Sequence, residues 1–171
     1  MKIYVYISLV FLLVFLGTAA EAAGLVTGKA APAYEIRTIS GAPITPATAR
    51  GRVLIVHLWA TWCEECRKEM PEIEEFYRRH HAQGVDVVAI SLDDKSEMEA
   101  VRQAMSSFSF PAAMESDSDL HRFGRVWRVP LTFIIDQRGI LRHNGWEGDP
   151  MVDTSMLEKV VTPLLTTPVS N

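Results

Sequence analysis

The chain has 171 residues, 48% of them hydrophobic, and 17 Lys and Arg stand against 21 Asp and Glu for a net charge of −4. That length suits one domain, or a domain with an appendage, rather than a two-domain enzyme, and the lack of any Lys/Arg-rich run argues against nucleic-acid binding. Two cysteines can neither staple a disulfide-dense mini-protein nor by themselves fill a four-ligand zinc site, but they can make one pair.

In chain order, the first feature is an N-terminal stretch in which 17 of 22 residues are hydrophobic. Lys2 precedes an apolar run from Ile3 to Leu16 broken only by Ser8, and small residues follow through the step Ala20-Glu21-Ala22. A basic start, an apolar centre and a small-residue step predict a signal peptide over residues 1–22. Residues 3–20 are also just long enough to span a bilayer, so an uncleaved membrane anchor stays open. Either way residues 23–171 are expected to fold outside the cytosol, where a cysteine pair can be held oxidised or used for redox work.

Ala30 to Ala49, rich in Pro, Gly, Thr and Ala, reads as an N-terminal extension with a short hairpin or loop. Val53 to Leu58 is a near-continuous apolar run, the pattern of a strand covered on both faces. Glu64 to about Gln83 reads as a helix ended by Gly84, with a kink expected at Pro71. A second buried strand follows over Val85 to Leu92, then a helix from about Ser96 to Phe108 with Asp94 or Ser96 as its N-cap. Phe110 to Met114 is predicted as a short strand and Ser116 to Trp127 as a third helical stretch. Thr132 to Asp136 and Ile140 to Asn144 flank the Gly-containing turn Gln137-Arg138-Gly139, a hairpin signal. A last helix is predicted from about Pro150 to Leu165, with Asp149 as N-cap and Pro150 at its first position. Strands alternating with helices and closing on a hairpin predict an α/β sandwich with a mixed sheet.

The residues that carry chemistry are Cys63-Glu64-Glu65-Cys66, directly after a strand and opening a helix. Two residues between the thiols, in a first helical turn, let both sulfurs approach bonding distance. The first sulfur lies near the N-terminal amides, where the helix dipole favours a thiolate. An inert buried disulfide or half of a metal site would use the same spacing. A second pair of metal ligands is missing, however, because His80-His81 lies a full helix away. The spacing therefore favours a nucleophile with its resolving thiol.

The stretch GRVLIVHLWATWCEECRKEMPEIEEF, followed by VVAISLDD and VPLTFIIDQRGIL, resembles the thioredoxin superfamily and, more narrowly, its exported TlpA/ResA/CcmG-type thiol–disulfide oxidoreductases. The resemblance runs from about Gly28 to Leu165. It implies a thioredoxin-like three-layer sandwich, a mixed central sheet flanked by helices, with an N-terminal extension and a central insertion between Asp93 and Ser118. It further implies that Cys63 attacks and Cys66 resolves, the two forming a redox-active disulfide. Pro130 would be a cis-proline facing that disulfide, with the backbone of Val129 pairing with bound substrate and Trp62 covering the site. Glu69, three residues after Cys66 and so on the same helical face, would handle the thiol proton. One departure is His57, which stands six residues before Cys63 where thioredoxin has a buried Asp; it is expected to be a hydrogen-bonded core histidine.

The resemblance thus implies an exported reductant of envelope protein disulfides, for example in cytochrome c maturation or metal-centre assembly, in the bacterial periplasm or on the outer face of the cytoplasmic membrane. Its partners would be disulfide-containing client proteins and a membrane thiol shuttle as electron donor, with no nucleic acid, no cofactor and no resident metal. Glu64 and Glu65 crowd the Cys63 thiolate with negative charge, which points to a reductant rather than a strong oxidant. Two other classes stay open: a Cu(I)-binding metallochaperone using both thiolates, and a peroxiredoxin-like peroxidase.

Overall fold

The structure, a computed structural model, describes residues 25–165. The predicted signal or anchor segment lies outside the described residues. Among the described residues no helix is long and apolar enough to cross a membrane.

Of the hairpin or loop expected in the N-terminal extension, the chain forms a hairpin, β1 (Glu35–Thr38) and β2 (Pro43–Ile44), paired antiparallel. β3 (Val53–Trp59) is buried along its whole length, as its apolar run requires. It lies parallel to β4 (Val85–Ser91), which in turn lies parallel to β5 (Ala112–Asp119). On its other side β3 is antiparallel to β6 (Leu131–Ile135), and β6 is antiparallel to β7 (Leu141–Asn144). β1 joins β5 antiparallel, giving one mixed sheet in the order β2-β1-β5-β4-β3-β6-β7.

Side chains alternate across a strand, and β3 divides the core accordingly. Val53, Ile55 and Trp59 pack with Ile73 and Phe76 of α1 (Glu64–His80), Val101 and Met105 of α2 (Met98–Met105), and Leu157 and Val161 of α3 (Thr154–Leu165). Leu54, Val56 and Leu58 face the opposite side, closed by Tyr34, Leu120, Phe123 and Trp146. The three layers are therefore three helices, the mixed sheet, and a covering of N-terminal chain and loop around Phe123. The expected α/β sandwich is present.

α1 runs unbroken through Pro71 and ends in a 3-10 turn at Gly84, whose φ of +104° suits a residue without a Cβ. Three readings need correction. The second helix is shorter than predicted: a 3-10 turn over Lys95–Glu97 precedes it, and Asp94 makes no side-chain cap. The predicted helical stretch from Ser116 to Trp127 is absent. Ser118 and Asp119 instead pair with Ile36 and Glu35 of β1, and only His121–Phe123 form a 3-10 turn. Backbone bonds to a strand some 80 residues away outweigh the local preference there. The last helix begins at Thr154, not Pro150. Asp153 accepts the Met156 N–H at 2.7 Å, whereas Asp149 accepts only the Met151 N–H, in the preceding loop. That loop is committed elsewhere, because its Val152 N–H reaches Glu69.

Candidate active site

β3 delivers the chain to a loop that is fixed before the first cysteine is reached. The buried Asp93 carboxylate, just past β4, accepts the Thr61 N–H at 2.9 Å, the Thr61 hydroxyl at 2.6 Å and the Ser91 hydroxyl at 2.6 Å. Burial alone would raise the Asp93 pKa, but the hydrogen bonds from Ser91 and Thr61 outweigh it and hold the carboxyl below its usual range. The segment two residues before Cys63 is thereby tied to the neighbouring strand.

Cys63 is the N-cap of α1, and its sulfur accepts the Cys66 N–H at 3.1 Å. A Cys63–Cys66 disulfide closes the first turn, with S–S 2.03 Å. Cys66 is fully buried and Cys63 nearly so. Both sulfurs belong to the core cluster under α1, together with Trp59, Met70 and Val152. Glu64 and Glu65 are exposed, and Lys68 bridges both at 3.3 and 2.9 Å. The negative charge expected beside Cys63 is thus partly offset by an ammonium one turn away.

Glu69 is only 1% exposed. It occupies the apolar stripe of α1, where Cys66, Met70, Ile73, Phe76 and Tyr77 are also buried. One carboxylate oxygen accepts the Val152 N–H at 3.0 Å. Burial pushes its pKa up to about 7, with Asp149 and Glu65 adding to the rise and the Val152 bond opposing it. A carboxyl that titrates near neutrality, on the face of the helix that carries Cys66, is suited to receive and return a thiol proton. His57 sits on β3 fully buried and is bonded through Nδ1 to Thr132 Oγ1 at 3.0 Å, as a core histidine should be. Burial pushes its pKa down to about 4.

The Val129–Pro130 peptide bond is cis. β6 starts at the next residue, and Leu131 is in register with Leu58 of β3, so Pro130 lies at the end of the sheet from which the chain leaves for Cys63. Val129 is half-buried and packs against the cluster that contains both cysteines. Trp62 is 68% exposed, beside Cys63, which rules out a plain core role. The structure therefore gathers Cys63, Cys66, Glu69, Val129 and Pro130 at one end of the sheet, with Trp62 on its surface. Sequence reasoning missed Asp93, Thr132 and the Val152 amide; an Asp directly after a buried strand was the one visible signal.

The chain matches the AhpC/TSA family over residues 27–144. It is 29% identical over 114 residues to the thiol-disulfide oxidoreductase ResA of Bacillus thuringiensis subsp. konkukian (strain 97-27), covering 66% of this chain and 65% of that protein, so it spans just under two thirds of that relative. It is 28% identical over 122 residues to the thioredoxin-like protein YneN of Bacillus subtilis (strain 168), covering 70% of this chain and 71% of that one. Among solved structures, a thiol:disulfide interchange protein of the thioredoxin family from Chlorobium tepidum TLS superposes with TM-score 0.65 at 21% identity, over 82% of this chain and 98% of that one. StoA from Bacillus subtilis does so with TM-score 0.60 at 24% identity, over 76% and 97%. The fold is thioredoxin-like, and with the match running from the lead-in before β1 to the end of β7, the chain belongs to the AhpC/TSA family.

Proposed function

We propose that the chain is a thiol–disulfide oxidoreductase that works outside the cytosol as a reductant of protein disulfides. The observation that carries this reading is the Cys63–Cys66 disulfide at the N-terminus of α1, with a buried carboxyl three residues further along the same face. The names of the ResA relatives support the same chemistry.

In the reduced protein the Cys63 thiolate, favoured by the helix N-terminus, attacks a client disulfide and one client sulfur leaves. Cys66 then gives its proton to Glu69 and attacks Cys63, which releases the second client sulfur. Two electrons pass to the client, and the enzyme is left as the disulfide. Val129 pairs through its backbone with the extended client segment next to Pro130, and Trp62 covers one side of the mixed disulfide. Electrons return from a membrane thiol shuttle. Residues 1–22 serve as signal peptide or anchor, residues 23–171 form the working domain, and the site of action is the periplasm or the outer face of the cytoplasmic membrane. Clients are envelope proteins with oxidised cysteine pairs, such as those awaiting haem attachment or metal-centre assembly.

The test is a trap. Cys66→Ser leaves Cys63 to attack with no resolving thiol, so it should accumulate mixed disulfides that Cys63→Ser does not form. Wild-type protein should reduce insulin with dithiothreitol as donor. No covalent partner and no insulin reduction would overturn the reading. One observation favours a peroxidase instead, the AhpC/TSA match itself; rapid peroxide turnover by the reduced protein, with no disulfide reduction, would select it.

A further inference from the structure

Two ionisable side chains, His57 on β3 and Glu69 on α1, approach each other in the core, and each keeps one polar atom without a hydrogen-bond partner. Glu69 Oε1 accepts the Val152 N–H, while Oε2 is buried with no hydrogen-bond partner. His57 Nδ1 lies 3.8 Å from that oxygen and 3.0 Å from Thr132 Oγ1, while Nε2 is buried without a partner. Among the described residues His57 is the one cationic or imidazole group within 4 Å of the Glu69 carboxyl. The other charged groups acting on it are Asp149, in the loop before α3, and Glu65 on α1, and both favour its protonated form.

A carboxylate oxygen with no donor in an apolar core is costly. The proposed resolving step nevertheless needs Glu69 as a carboxylate before Cys66 gives up its proton and as a carboxylic acid afterwards. In that step the S–H bond of Cys66 breaks and its proton goes to Glu69 Oε2. The Cys63–Cys66 bond forms, the Cys63–client bond breaks, and the client sulfur leaves with the electron pair. Something must donate to Oε2 in the first state and release it in the second.

We propose that His57 is a positioning residue that makes this exchange possible: its Nδ1–H rests on Thr132 Oγ1 while Glu69 is protonated and turns to Glu69 Oε2 when Glu69 ionises. A hydrogen bond needs a donor–acceptor distance of about 3 Å, so the 3.8 Å separation closes with a shift of roughly 1 Å. Burial keeps His57 neutral at neutral pH, so it serves as a neutral donor and not as a counter-ion. Thr132 can serve as the alternative partner because it stands opposite His57 in the β3–β6 register. The inference rests on the proposed oxidoreductase reading for its purpose, but the coupling is measurable without turnover.

The experiment is carboxyl 13C NMR of the oxidised full-length protein from pH 4 to 9, with Glu69→Gln assigning the signal. In His57→Leu the Glu69 midpoint should rise by about one pH unit, a tenfold loss of acidity. His57→Gln, which keeps an amide donor, should recover most of it. An unchanged midpoint in His57→Leu overturns the proposal. Should that variant not fold, the wild-type imidazole 15N signals decide: a change in Nδ1 that follows the Glu69 midpoint supports the exchange, and signals flat through that midpoint overturn it. The pH profile of insulin reduction by His57→Leu should move upward in step with the NMR midpoint. Coupling without any reductase activity would sustain the pair and sink the proposed function; normal reductase activity without coupling would do the reverse.

Discussion

Glu69 is the residue at which sequence, burial and chemistry meet. A carboxyl whose pKa is raised in the folded state binds more protons there than in the unfolded chain, so its contribution to stability falls as pH rises. The window runs from the ordinary carboxylate range near 4.5 up to about 7. Glu69→Gln should therefore gain on wild type across that window, its urea midpoint exceeding the wild-type value by more at pH 7.5 than at pH 4.5. Equal differences at both pH values would show that the folded carboxyl titrates normally. Burial depresses His57 instead, so its contribution rises between about pH 4 and 6.5, and the variant should retain that slope. Trp62 gives the opposite kind of test. It is largely exposed, so Trp62→Ala should change stability by no more than about 0.5 kcal/mol. The kcat/KM for a protein disulfide should nevertheless fall severalfold, and an unaltered kcat/KM would remove Trp62 from the proposed client contact.

At the scale of elements, helix-forming composition and continuous apolar runs are enough to locate α1, β3 and β4. Helix-forming residues from Glu64 onward, ended by Gly84, made α1 legible, and the three-residue step from Cys66 put Glu69 on the same face; that this face is the buried stripe of Cys66, Glu69, Met70, Ile73, Phe76 and Tyr77 is a finding of the structure. β3 and β4 were legible as continuous apolar runs. The failures lie where a distant segment supplies the partner. Ser118 and Asp119 carry little strand propensity, and only β1 makes them part of β5. The start of α3 moved for a similar reason: Val152 is drawn to Glu69, and the capping role passes to Asp153. Asp153→Ala should accordingly cost about 1 kcal/mol in thermal or urea unfolding, as loss of an N-cap does. Asp149→Ala should leave the helix content of α3 unchanged by circular dichroism; a matching loss would return the cap to Asp149.

At the scale of the whole molecule, the sheet collects loops from β3, from the segment before β6 and from the segment before α3 at one end. Gly145 allows part of this. A Cβ there would meet the Thr132 backbone at 2.5 Å, so glycine lets the chain after β7 press against the strand that holds the His57 partner. The electrostatics around the disulfide are local on the same scale. On the proposed reductant reading, Glu64 and Glu65 would disfavour a Cys63 thiolate, weaken the reduced form and lower the reduction potential, while Lys68, which bridges both carboxylates, would oppose them. Equilibration with glutathione should give a potential more negative than that of DsbA, about −120 mV. Lys68→Ala should make it more negative still. A potential at or above the DsbA value would contradict the proposed reductant role.

The order of the main strands and helices, the cysteine pair at a helix start and the helical face shared by Cys66 and Glu69 were determined by the sequence alone, because each depends on spacing within one element. Tertiary structure decided which groups meet across elements: His57 with Thr132 and Glu69, Val152 with Glu69, and Asp93 with Thr61. Those contacts set the desolvation and hydrogen bonding that move the Glu69 and His57 pKa values in opposite directions. Burial is a property of what covers a residue, and no local pattern in the chain states that a glutamate on β3's side of α1 will find a histidine there.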